Sequence, residues 1–138
     1  MSDGLAEGIY ATLKADAGVL VALGPQEASQ YAIYPVRAPN GALFPNVVFF
    51  QVTSSNNEPH TGPSPMDDTW MQFSCYGSTY EEARNLRRAV RAAMEGKTLA
   101  GGEVPVDFTE RDQYVNEIDA FHCILECHVL HDALAGAT

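Results

Sequence analysis

The chain has 138 residues, 46% apolar and 19% charged, the composition of one globular domain with a real core, which excludes a wholly disordered chain. Eight basic against eighteen acidic residues give a formal net charge of -10, which disfavours direct binding to a phosphate backbone or an anionic membrane surface. No stretch approaches the roughly 18 apolar residues of a spanning helix, and Met1 to Leu5 lacks a basic segment followed by an apolar run, so a single domain folding in a cytoplasm is expected.

Ser2 or Asp3 caps a first predicted helix whose apolar face is Leu5, Ile9 and Leu13, with Ala6 and Tyr10 alongside. Asp16 caps a short second turn through Val19, Leu20 and Leu23, stopped by Gly24 and Pro25. Pro25, Pro35, Pro39, Pro45 and the Asn40-Gly41 pair leave room for one short strand around Ala32 to Val36. Val47 to Thr53 is apolar on both faces up to Gln51, which predicts a central strand with helices on one side and another subunit or strand layer on the other. Ser54 to Asp68 has almost nothing to bury and reads as a long mobile hairpin loop, with Asn56, Asn57, Glu58, His60 and Met66 as candidate assembly contacts.

Thr69, Met71, Phe73 and Cys75 alternate with Trp70, Gln72, Ser74 and Tyr76, the period of a strand, and Gly77 breaks it. Ser78 and Glu81 fit a capping box, and Tyr80, Ala83, Leu86, Val90, Ala93 and Met94 share one face of the helix that follows, up to Gly96. Val104, Val106 and Phe108 alternate with Pro105, Asp107 and Thr109, and the proline predicts an edge strand. A polar connection, Glu110 to Glu117, leads to a last strand, Ile118 to Leu130, with Phe121, Cys123, Leu125, Cys127 and Val129 toward the core and His122, Ile124, Glu126 and His128 away from it. Asp132 to Thr138 reads as a loose tail. These elements make an α+β fold: a four- to five-stranded antiparallel or mixed sheet with two main helices packed on one face.

Cys75, Cys123 and Cys127 all fall in apolar strand-like runs, where buried free thiols are the default; a bridge from Cys75 across strands is the alternative. A metal site built from His122, Glu126, His128 and His131 fails on distance, since His122 and His128 on one strand lie about 20 Å apart. Neither a nucleophile elbow around Ser74 or Ser78 nor a phosphate loop around Gly101-Gly102 is present, so no catalytic, metal or cofactor site is expected. The charge layout is more telling. Arg84, Arg87, Arg88, Arg91 and Lys97 are five of the eight basic residues and sit on one helix. Arg84 with Arg88, and Arg87 with Arg91, are unfavourable four-residue steps, and only Arg91 with Glu95 is favourable. One reading is a solvated face. The other is a subunit interface in which this stripe meets an acidic face of a neighbouring copy, with Glu103, Asp107, Glu110, Asp112, Glu117 and Asp119 as candidates.

The strand with Trp70 and Phe73, then Gly77, Ser78, Thr79, Tyr80, Glu81, Glu82, Ala83 and Leu86, then Val90 and Arg91, resembles the hallmark of the tail terminator, or tail completion, family of long-tailed bacteriophages. Upstream, Ile33, Tyr34, Pro35, Ala38 and Pro39, and Pro45, Val47, Val48 and Phe49, fall in the order and spacing of that family. The resemblance implies a structural virion protein and not an enzyme: a subunit, hexameric in this family, of a ring on the head-proximal end of the tail tube that stops tube polymerisation and joins the tail to the head. Its implied partners are copies of itself, the tail tube protein and a head completion or connector protein, first in the host cytoplasm and then in the virion, with no nucleic acid, membrane or cofactor. Another head-to-tail connector or stopper subunit is the nearest alternative. A small cytosolic enzyme or ligand-binding domain of similar fold is the alternative from another class, because fold does not settle function.

Overall fold

A computed structural model describes residues 3–24, 32–38, 44–56, 66–99 and 103–132. Its strands are β1 (Ile33–Pro35), β2 (Asn46–Asn56), β3 (Met66–Gly77), β4 (Glu103–Val115) and β5 (Ala120–Asp132), and its helices are α1 (Asp3–Ala15), α2 (Ala17–Leu23) and α3 (Tyr80–Met94). The strands form one sheet in the order β1-β2-β3-β5-β4. β1 is parallel to β2 and all other neighbours are antiparallel, so the α+β class holds, with a five-stranded mixed sheet.

Strand alternation puts Met71, Phe73 and Cys75 of β3 on the same face as Cys123, Leu125, Cys127 and Val129 of β5, in directly opposed pairs such as Phe73 with Leu125 and Cys75 with Cys123. Onto this face pack Leu5, Ile9 and Leu13 of α1, Val19 and Leu23 of α2, and Ala83, Leu86, Val90, Ala93 and Met94 of α3, all buried in one cluster. The three thiols are free and buried. Burial pushes the Cys75 thiol well up, Cys123 to about 11 and Cys127 to about 12, so all three are protonated fillers of the core at neutral pH.

The local signals of α2 are as read: Asp16 Oδ1 accepts from the Val19 N–H at 3.0 Å, and Gly24 closes the helix at φ 85°. The cap of α3 is shifted by one residue. Thr79, not Ser78, is the N-cap, its Oγ1 accepting from the Glu82 N–H at 3.1 Å, while Glu82 Oε1 accepts from the Ser78 N–H at 2.9 Å. The corner decides this. Gly77 lies so close under the first turn that a Cβ there would stand 2.7 Å from the Ala83 nitrogen, and Ser78 is needed to carry the chain clear before the helix begins. Thr79→Ala is therefore expected to cost about 1 kcal/mol and Ser78→Ala a few tenths; equal shifts of the two urea midpoints would contradict the assigned cap.

Four spans differ from the sequence reading. β5 runs Ala120–Asp132 and not Ile118 to Leu130, which makes Asp132 a strand residue and not the start of the tail. β4 does not stop at Phe108 but runs to Val115, so Glu110 to Val115 is strand and not a connection. The link to β5 is one 3-10 turn, Asn116–Ile118, closed by Asp119 at φ 49°. β2 and β3 stay paired out to Asn56 with Asp67, which makes Asn56 and Met66 strand residues and shortens the expected loop; Asn57, Glu58 and His60 lie outside the described residues. The central strand is β3, since β1 pairs with β2 only at Val47, Val48 and Phe49. The proline-marked strand β4 is indeed at the edge, with a bulge between Val106 and Thr109 where Asp107 takes φ 57°.

The opposite face of the sheet carries Tyr76 stacked on His122 at 4.4 Å, Trp70 against His128 at 4.1 Å, and an Arg111–Glu126 ion pair at 3.2 Å.

Candidate functional site

The residues singled out by charge converge where α3 crosses β4. Glu110 and Asp112 are two apart on a strand and so share a face, the face turned to the helices. Arg87 and Arg91, one helical turn apart, stand over them. Arg87 is 7% exposed. Its Nη1 donates to Asp112 Oδ1 and to the Arg111 carbonyl at 3.0 Å, and its Nε lies 3.2 Å from Glu110 Oε1. Arg91 Nη1 donates to Glu110 Oε2, its Nη2 lies 3.5 Å from Glu95, and its guanidinium sits 5.4 Å from the Phe108 ring centre. Tyr80 closes the cluster by donating to Asp112 Oδ2 at 2.8 Å.

The electrostatics follow from these contacts. The Tyr80 hydroxyl and then Arg87 hold the Asp112 carboxyl below its usual range, against the opposing effect of burial. Burial works against the Arg87 charge, but the bond to Asp112 and the two carboxylates outweigh it and raise its pKa. The bond to Glu110 raises Arg91 likewise. The cluster is a clamp that fixes α3 on the edge strand, and burial pushes the thiol of Cys123 beside it up to about 11, so it stays protonated at neutral pH.

Of the sequence candidates, Arg87, Arg91, Glu110 and Asp112 are thus brought together inside one chain. Arg84 is exposed with its guanidinium 5.6 Å from the Tyr80 ring centre, and Arg88 is exposed with no ion pair among the described residues. Asp107 is exposed at the β4 bulge, and Glu103 is the first residue of β4. Sequence reasoning missed a second feature, at the opposite margin of the sheet: an apolar groove of about 360 Å³ lined by Ala6, Pro35, Val36, Phe49, Phe50 and Gln51. It opens where β1 ends, and the hint in the sequence was Pro35, which has no N–H to carry a ladder onward.

The fold is thus an α+β domain with a clamped helix–strand margin on one side and an open apolar margin on the other. Residues 7–132 match the family model described as Tail completion protein gp17, and the chain belongs to that family, a family of structural proteins of the phage virion. Among solved structures, a chain of the virion of a native gene transfer agent (GTA) particle has a similar fold, with a TM-score of 0.67 at 19% sequence identity over 94% of this chain and 95% of that one. No curated protein matches the chain in sequence.

Proposed function

We propose that this phage tail protein is a tail terminator: copies of it form a ring, hexameric as in the family it resembles, on the head-proximal end of the tail tube, stop tube polymerisation and present the surface that joins the head. The observation that carries the reading is the family match across residues 7–132, supported by the fold shared end to end with a chain of a phage-like particle. A ring needs a lateral contact that closes and an axial face that meets the tube without templating another layer. Its partners are then further copies, the tail tube protein and a head completion or connector protein. Exposed Arg84 and Arg88 contribute a charged contact with a neighbouring subunit, while Arg87 and Arg91 serve the fold.

The test is the mass in solution, by light scattering, with and without tail tubes. A hexamer, alone or on adding tubes, and tubes that stop growing are the expected results. A chain that stays monomeric and leaves tube growth untouched would remove the proposal, and one that bound a portal assembly but not tube ends would transfer it to a connector or stopper. Arg84→Glu with Arg88→Glu is expected to weaken assembly at least tenfold and to leave the unfolding midpoint within about 0.5 kcal/mol of wild type, as for exposed positions; assembly unchanged in this variant would free the stripe of that role.

A further inference from the structure

We infer that successive copies of the chain join edge to edge, the outer edge of β4 in one copy extending the sheet of the next along the free half of its β2. The inference rests on the ring reading and specifies its seam.

Of the six exposed large apolar side chains among the described residues, five stand at the two lateral margins of the sheet. Val36, 69% exposed, lines the groove on the β1–β2 margin, and Val52, 48% exposed, stands at the β2 bulge between Gln51 and Thr53 on the same margin. Tyr114 and Ile118, 47% and 49% exposed, stand with Tyr80 on the β4 margin. One margin is a groove and the other a protrusion.

Among the described residues, both margins also leave backbone without a strand partner. Val36 donates its N–H to the Phe49 carbonyl and then, at φ 71°, turns the chain away, so beyond Phe49 the outer edge of β2 meets no strand among the described residues. On β4, Pro105 and the bulge at Asp107 guard the first half of the edge, as edge strands require, whereas Thr109 to Val115 has neither, and its three charges, Glu110, Arg111 and Asp112, are already paired with Arg87, Arg91 and Glu126 of the same chain. The alternation of directions adds a third point. β2 and β5 run one way, β3 and β4 the other, so in a neighbour of the same orientation β4 arrives antiparallel to β2, the more stable ladder. A contact between opposite margins is heterologous, the kind that builds rings.

Side-chain facing fixes the register. Gln51 is level with Met71 and Tyr114 with Phe121, so both point to the helix side. Setting Tyr114 opposite Gln51 puts its ring in the groove beside Ala6 and stops the ladder at Val115, against the last residue of β1, Pro35. The turn with Glu117 and Ile118 then lies against Val36 and Arg37. Gln51 Oε1, buried without a donor among the described residues, gains the Tyr114 hydroxyl, which in the isolated chain donates to Asp119 at 2.9 Å. Charge is matched as well: Arg37 and Glu117 are exposed, neither has an ion pair among the described residues, and Gln113 to Asn116 brings no charge to the seam of a chain at -10. Tyr114 is level with Gly77, six residues from Met71, so each step staggers neighbours by about 20 Å across four strands about 19 Å wide, a strand tilt of roughly 45° at the upper end of the range in closed sheets.

Reciprocal charge reversal in the full chain tests the seam. Arg37→Glu or Glu117→Arg alone should raise the concentration of half-assembly about five- to tenfold, as expected for roughly 1 kcal/mol per contact, and the double variant should return to within about twofold of wild type. Tyr114→Ser, which removes the ring without touching charge, should weaken assembly too, with thermal melts confirming that each variant folds. A wild-type ring that ignores all four variants, or singles that weaken it without rescue in the double, would overturn the seam and leave the ring standing. Assembly that saturates at two copies would also overturn it, in favour of an isologous contact. A wild type that never leaves the monomer would overturn the ring reading and the seam with it.

Discussion

Replacement of Arg87 by alanine is expected to lower stability by about 3 kcal/mol, the low end of what breaking a buried ion pair costs. Arg87 is the one basic residue of α3 that is buried, and it serves three acceptors at once: Asp112, Glu110 and the Arg111 carbonyl. Its removal leaves two carboxylates of β4 side by side with Arg91 alone to balance them, and it empties the space its stem fills between helix and strand. The low end applies because both carboxylates are partly exposed and water can resolvate them. Arg87→Lys should recover less than half of the loss, since one ammonium cannot span the geometry that the planar guanidinium bridges. Arg88→Ala, a single position away, should shift stability by no more than about 0.5 kcal/mol. Urea unfolding at pH 7 reads all three. Equal midpoints for Arg87→Ala and Arg88→Ala would mean that the cluster is an ordinary surface ion pair and not a clamp.

That contrast between neighbouring arginines shows what the sequence could carry. Periodicity reports which face a residue is on, so the core faces of α3, β3 and β5 were legible residue by residue, as was the edge position of β4 from Pro105. It does not report what a polar face meets. The second half of β4 looked like a connection because Glu110 and Asp112 occupy helix-facing positions where apolar residues are expected, and only the arrival of Arg87 and Arg91 overhead makes a carboxylate acceptable there. The unfavourable arginine steps along α3 were a valid sign of acidic partners; spacing along one helix could not say whether those partners belong to the same chain. The hairpin of β2 and β3 was underestimated for a related reason. Ser54, Ser55 and Asn56 have low strand propensity, and they pair with Thr69, Asp68 and Asp67 as a continuation of the ladder held by Val47–Cys75 and Phe49–Phe73, shifted by one residue at the bulge between Gln51 and Thr53. The groove left only one trace, Pro35, since it exists because β1 stops after three residues while β2 continues past it.

The face of the sheet without helices holds a group whose burial makes stability depend on pH. His122 is 8% exposed, stacked on Tyr76, and its Nε2 has no hydrogen-bond partner among the described residues. Burial, and to a lesser degree the nearby Arg111 charge, lowers its pKa from 6.5 to about 4. A base with a depressed folded pKa binds its proton more readily in the unfolded chain, so its contribution is fully present above the unfolded value of 6.5, drains away as pH falls from there to about 4, and is gone below. The full shift corresponds to about 3 kcal/mol, and allowing for partial screening of the ring about 2–3 kcal/mol is expected. Asp112 acts in a separate and lower window. Its folded pKa lies below the ordinary carboxylate value of about 3.9, so its contribution stays whole above that value and is lost only as pH falls through the folded one. His122→Phe keeps a ring on Tyr76 and removes the titration. Urea midpoints between pH 7 and pH 4 should therefore fall for wild type and stay level for His122→Phe, with both chains weakening together below pH 4 as Asp112 takes up its proton. Parallel curves through the upper window would place the acid sensitivity elsewhere and show that the His122 ring reaches water through the sheet face that buries it here.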